Sequence, residues 1–249
     1  MKRTLSVLLL LIVPAFLFAQ EAKQAPELKK NTLSAYRVWA KDGHNDALKA
    51  AIAAHGKKYH TGNWKWRVYE VLTGPDGGAF MISEGPNTWT EVESRAYLAA
   101  EHMKDYDTNV APHVEKSTSD MYATYQPDAS TVEGAAFSTT NVLIRQAYLK
   151  PGRRFYALAT LRDWKQVWEK CGVNIVTWGS FYSGEPRFII AGRLEQGFAD
   201  LDDSSVSFRK AADEIFGPGA YERLVADDAA NYSRFVDEII EYKAELSSK

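Results

Sequence analysis

The chain contains a single cysteine, Cys171, in 249 residues, so no internal disulfide can form and its stability must come from buried surface. After the N-terminal run Leu5 to Phe18, no segment approaches the roughly 20 apolar residues that a bilayer-spanning helix needs. There is no H-E-x-x-H pair and no G-x-S-x-G elbow, and Gly74 to Gly78 lacks the lysine and following helix of a phosphate loop. These absences argue against zinc-protease, serine-hydrolase and P-loop chemistry. Nor is there an excess of positive charge: 30 Lys and Arg face 32 Asp and Glu. Without Lys2 and Arg3 the basic residues fall to 28, a formal charge of −4. A nucleic-acid or anionic-membrane partner would want a basic surface. That balance counts against reading Lys57, Lys58, Lys65 and Arg67, interleaved with Tyr59, Trp64 and Trp66, as a nucleic-acid patch.

Lys2 and Arg3 precede an apolar run broken only by Ser6 and Pro14, and Ala19 supplies a small residue before Gln20. This is the pattern of a cleavable export signal over residues 1–19, and it predicts a periplasmic or extracellular protein with no span after cleavage. Residues 20–31 are polar and aperiodic, and are expected to form a flexible leader.

Aromatic residues are plentiful, with seven Trp, thirteen Tyr and eleven Phe. They fall into one order of elements read twice. Leu33 to Trp39 and Val142 to Tyr148 are strand-like runs. They lead to Lys41-Asp42-Gly43 and Lys150-Pro151-Gly152, turns 109 residues apart. Each turn opens a helical stripe, strongest in Phe155, Leu158, Leu161, Trp164 and Trp168. Hairpins follow, Trp64 to Leu72 with Ala79 to Ser83, and Val173 to Tyr182 with Arg187 to Ala191, joined by Gly and Pro clusters. Polar helices then begin near Trp89 and Phe198, reaching about Val114 and Phe216. The last segment fits a helix stripe (Phe235, Ile239, Tyr242, Leu246) or a strand face (Val236, Ile240, Tyr242, Ala244, Leu246). Correspondence with Tyr125 to Ser130 favours the strand.

The order β-α-β-β-α-β, twice, predicts an α+β fold: two ferredoxin-like repeats, 32–130 and 139–247, joined by a linker at 131–138. One sheet face of each unit would be left bare, and packing the two as a pseudo-two-fold α/β barrel would bury it. On element order and closing phrases, the chain resembles the dimeric α/β-barrel superfamily and, within it, duplicated NIPSNAP-like proteins. The resemblance implies one of several outcomes: a cofactor-free monooxygenase, a haem enzyme of the chlorite-dismutase type, a small-lactone isomerase, or no catalytic activity.

Candidate ligand-binding residues are those that would be costly to bury without a partner, together with aromatic walls beside them. Arg37, Glu70 and Glu84 fall on predicted strands of the first half, with Trp39, Trp66 and Tyr69 nearby. The second half has Gln146, Gly179 and Gly192 at the matching positions. No catalytic residue stands out. The histidines His44, His55, His60, His102 and His113 show no metal-ligand spacing. His55 and His60, five apart, do not share a helix face, and His102 and His113, eleven apart on one helix, would sit about 16 Å from each other. The expectation is therefore no metal and no cofactor, with haem on one histidine as the alternative the resemblance implies. The expected function is that of an exported, non-catalytic small-molecule-binding or interaction protein, its ligand a small apolar or aromatic molecule, with the cofactor-free monooxygenase or haem enzyme as the competing class.

Overall fold

The structure is a computed structural model describing residues 29–94, 99–133, 140–202 and 207–248. The export signal, residues 20–28 of the leader and 134–139 of the linker region lie outside the described residues.

Thr32–Ala40 forms β1, and Gly43, at φ +76°, turns the chain into α1, Asn45–Tyr59. Asp46 in its first turn and Lys57 and Lys58 in its last complement the helix dipole. The hairpin of β2 (Arg67–Val71) and β3 (Phe80–Asn87) follows. Thr88 and Glu91 then form a reciprocal capping box, with bonds of 2.8 and 3.1 Å, that starts α2 (Trp89–Ser94). Next come α3 (Ala100–Asp105), a π turn at Tyr106–Val110, a 3₁₀ turn, and strands β4 (Val114–Ser117) and β5 (Met121–Tyr125). The remainder reads β6 (Asn141–Leu149), α4 (Arg154–Lys170), β7 (Ile175–Ser180), β8 (Arg187–Leu194), α5 (Phe208–Phe216), α6 (Ala220–Asn231) and β9 (Tyr232–Tyr242).

All strand pairings are antiparallel. The order β3-β2-β9-β6-β8-β7-β5-β1 closes through β1–β3, giving an eight-stranded barrel. β4 pairs with the C-terminal part of β1, ahead of β5 on the same flank. Early and late strands meet twice, at Tyr69 opposite Tyr242 and at Thr124 opposite Gly179.

Strand alternation divides the apolar residues into three cores. One fills the barrel, with Tyr69, Val71, Trp178, Ile189 and Ile240. A second lies between the sheet and α1, with Val38, Leu48, Ile52, Val68 and Phe80. The third packs α4, α5 and α6 on the sheet, with Leu161, Trp164, Val167, Phe188 and Leu224.

The structure corrects three readings of helices and strand ends. The polar helix expected from Trp89 to Val114 is, among the described residues, two short helices followed by a wider π turn and a tighter 3₁₀ turn. Helix α6 was not anticipated: Gly217-Pro218-Gly219 reads as a stop, and α6 buries only Ala220, Leu224 and Asn231, too few for a clear stripe. The C-terminal segment is a strand to Tyr242, but it then leaves the ladder. Leu246 packs against α1's core, and the Ser247 and Ser248 hydroxyls accept from the Val68 and Trp66 amides at 2.9 and 3.2 Å.

Candidate functional site

On β1 the alternation sends Leu33, Ala35 and Arg37 into the barrel, and Tyr36 and Val38 out toward α1. The inward side chains leave an apolar cavity of about 60 Å³ walled by Leu33, Tyr69, Met81, Trp178, Ile189 and Ile240. Through Ala35, Met81, Met121, Ile144 and Ile189 it adjoins a second cavity of about 270 Å³. That second cavity has a polar wall, including Arg37, Asp76, Gln146, Tyr148 and Arg187.

The two arginines of this wall differ in their surroundings. Arg37 donates to Asp76 at 2.5 Å and grips both oxygens of Glu238 at 2.8 and 2.6 Å. Glu238 is 1% exposed and also accepts from Gln146, whose own carbonyl accepts from the Tyr148 hydroxyl. Burial opposes the charge on Arg37, but the two carboxylates outweigh it and hold its pKa above the ordinary value. Arg187 forms no ion pair among the described residues. It donates to the Glu185 carbonyl at 3.2 Å and to the Met121 sulfur at 3.0 Å, and its Nε is buried without an acceptor. Burial, reinforced by Arg37, lowers its pKa below the ordinary value despite the Tyr148 ring 5.3 Å away. The wall thus combines a neutralised arginine with one that forms no ion pair among the described residues.

The six residues singled out in the sequence are dispersed. Arg37 and Tyr69 face the barrel cavities. Trp39 shares Arg37's parity and lies under Lys116, at 4.1 Å from its ring. Glu70 points the other way and pairs with Lys243 at 2.9 Å. Trp66 and Glu84 lie on the outer face beneath α1, joined by a 2.6 Å hydrogen bond. Arg37, Glu70 and Glu84 therefore form no common group. Arg187, Met121 and Glu238 were missed. Arg187 did carry a signal, since it alternates with the apolar Ile189 and Ala191 on β8.

Glu84 belongs to a second constellation that the sequence kept apart. His60 caps α1 at φ −105° and ψ 81°, so its ring no longer follows the helical spacing from His55. His102 comes from α3. Its Nε2 stands 3.1 Å from the Nε2 of His55 and 3.1 Å from that of His60. Behind them, His55 Nδ1 meets Asp105 at 2.8 Å, and His60 Nδ1 meets Glu84 at 2.9 Å. Trp66 stacks on His60 at 3.9 Å. Gly56 makes room for this, since a Cβ there would stand 3.2 Å from the Trp66 ring. Burial and the neighbouring imidazoles push His102 down to about 4, and burial also lowers His55 despite Asp105.

The backbone bears comparison with several solved structures. An anthrone oxidase-like protein is 10% identical with TM-score 0.56, over 86% of this chain and 92% of that one. Chlorite dismutase from Candidatus Nitrospira defluvii, as a mutant, is 9% identical with TM-score 0.53, over 90% and 97%. A proposed monooxygenase from Fusobacterium nucleatum is 11% identical with TM-score 0.56, over 85% and 91%. The fold is that of the dimeric α/β barrels. No protein-family model matches the sequence, and no curated protein does. At these identities the likeness is one of fold alone.

Within a dimeric α/β barrel, a haem would need a histidine facing a space large enough for a porphyrin. Neither barrel cavity has a histidine in its wall. His44 and His113 face each other at 3.0 Å, and one ligand nitrogen from each of the other three lies within 4.8 Å of the rest.

Proposed function

We propose that the barrel interior is the active site of an oxygenase that needs no resident cofactor and acts on a small, flat, apolar carbon acid bound as its anion. The observation that carries this reading is Arg187, a partly buried guanidinium in the wall of the polar cavity that adjoins the apolar one, with no ion pair among the described residues. A ligand whose apolar body lies along Met81, Ile144 and Ile189 would bring its negative charge to that arginine. Charge-assisted hydrogen bonds of this kind are the strong ones. An electron-rich anion can supply all four electrons that dioxygen takes up. A methylene loses two hydrogens, one atom of dioxygen becomes its ketone oxygen, and the other leaves as water. The apolar recess beside the anion suits dioxygen. Likeness in fold to an anthrone oxidase-like protein and to a proposed monooxygenase supports the same class.

Two finer readings accompany it. Residues 32–125 and 141–242 share an element order and the strand orders β2-β3-β1-β4/β5 and β7-β8-β6-β9, which supports an internal duplication of the NIPSNAP-like kind with a pseudo-two-fold axis. The N-terminal pattern supports export, so that the barrel works outside the cytoplasm.

Anthrone is the probe. The protein is expected to accelerate oxygen uptake and form the quinone, and Arg187→Gln to lower kcat/KM about 10- to 100-fold, the loss of one charged hydrogen-bonding partner. No acceleration and no quenching of tryptophan fluorescence by anthrone would overturn the reading. Quenching without oxygen uptake would favour a binding protein instead.

A further inference from the structure

We infer that His55, His60 and His102 form a binding site for one divalent transition-metal ion of the zinc class, independent of the barrel cavity. One ligating nitrogen from each lies within 4.8 Å of the other two, and both contacts to His102 Nε2 are 3.1 Å. Three nitrogens bound at 2.0–2.1 Å in tetrahedral arrangement stand about 3.3 Å from one another, and the two contacts to His102 are already near that spacing.

The proton inventory points the same way. A carboxylate only accepts, so Asp105 draws the Nδ1–H tautomer of His55, while Glu84 stands 2.9 Å from His60 Nδ1. The Nε2 of His55 is then a lone pair facing the Nε2 of His102, which the Nε2 of His60 also faces. One cation serves all three nitrogens at once. Carboxylates behind two of the ligands are the outer partners that fix imidazole orientation and raise its basicity at metal sites. With neutral imidazoles, the two carboxylates carry −2 and Lys58, 3.1 Å from Asp105, returns +1, so the surroundings keep a net negative charge that favours a cation. Imidazole donors select zinc, copper, nickel or iron over magnesium or calcium, and three of them leave one position for water or a further ligand.

The surroundings assign the ion a structural task. His55, His60 and His102 are 1%, 1% and 5% exposed, and none lines either barrel cavity. Trp66 donates to Glu84 on β3 while stacking on His60. An ion here would tie α1 to α3 and hold both to the sheet.

The test uses the full mature chain, stripped with chelator and titrated with Co²⁺ and Zn²⁺. About one equivalent of Co²⁺ should bind with visible ligand-field absorption, zinc should displace it, and zinc should raise the thermal midpoint. His102→Ala should abolish the absorption, whereas His44→Ala, at the other histidine pair, should leave it intact. Glu84→Gln should weaken affinity about 10- to 100-fold. Wild-type protein that shows no ligand-field absorption would overturn the inference without recourse to any variant. So would a spectrum unchanged by His102→Ala.

Discussion

Among single residues, Arg37 shows most directly how a buried charge is tolerated. Its fork to Glu238 lies in the barrel wall, and Asp76 closes the third contact. Truncating one partner leaves the other buried and unmet, which costs about 3–5 kcal/mol, while replacing both with apolar residues of similar volume is often close to neutral. Arg37→Ala is therefore expected to lower stability by about that amount. The pair Arg37→Met with Glu238→Leu should recover most of it in urea denaturation. If the double variant is as unstable as the single one, the cost does not come from the orphaned carboxylate.

Where elements pack, α4 and α6 meet through a polar contact whose charge state matters. Trp164 donates to Asp228 at 2.9 Å, and the other Asp228 oxygen is buried without a partner. Burial raises the carboxyl pKa from 3.8 to about 6, with the Trp164 bond only partly opposing it. The folded state thus holds this proton more tightly than the unfolded chain. The stabilisation is fully present below the unfolded value near 4, and it is lost as pH rises through 6. Asp228→Asn keeps an acceptor for Trp164 and removes the ionisation. It should stabilise the protein by about 1–2 kcal/mol near pH 8, after allowance for partial exposure, and by little near pH 4. Equal effects at the two pH values would show that the carboxyl is not held protonated.

For the whole molecule, closure of the barrel decides how the chain unfolds. β2 pairs with β9 and β5 with β7, so neither half keeps a complete sheet without the other. Opening either seam exposes the shared core around Tyr69, Trp178 and Ile240. One cooperative transition is expected, with the near-UV signal of the tryptophans and the far-UV signal of the backbone coinciding. Two separated transitions would mean that the halves unfold independently and that the seams contribute little.

The sequence by itself determined most of the strands and the two long helices, because alternation and helical stripes are local patterns set by which side chains must leave water. It missed β4, and where it placed a strand at Tyr125 to Ser130 the ladder ends at Tyr125 and Pro127–Ala129 is a 3₁₀ turn. Strand runs such as Leu33 to Trp39 and Val142 to Tyr148 came out within a residue or so of their ends. Helix α6 did not, because the neighbours that bury Leu224 are distant in sequence. The candidate site was legible only in part. Arg37 and Tyr69 could be proposed as inward-facing, but Glu70 and Glu84 could not be told from them, since strand parity depends on register and one residue of slip reverses it. Tertiary structure alone decided the rest. Glu238 reaches Arg37 from 201 residues away, and His102 meets His55 and His60 across 47 and 42. No spacing rule sees such groups, because barrel closure and helix docking bring them together rather than any local period.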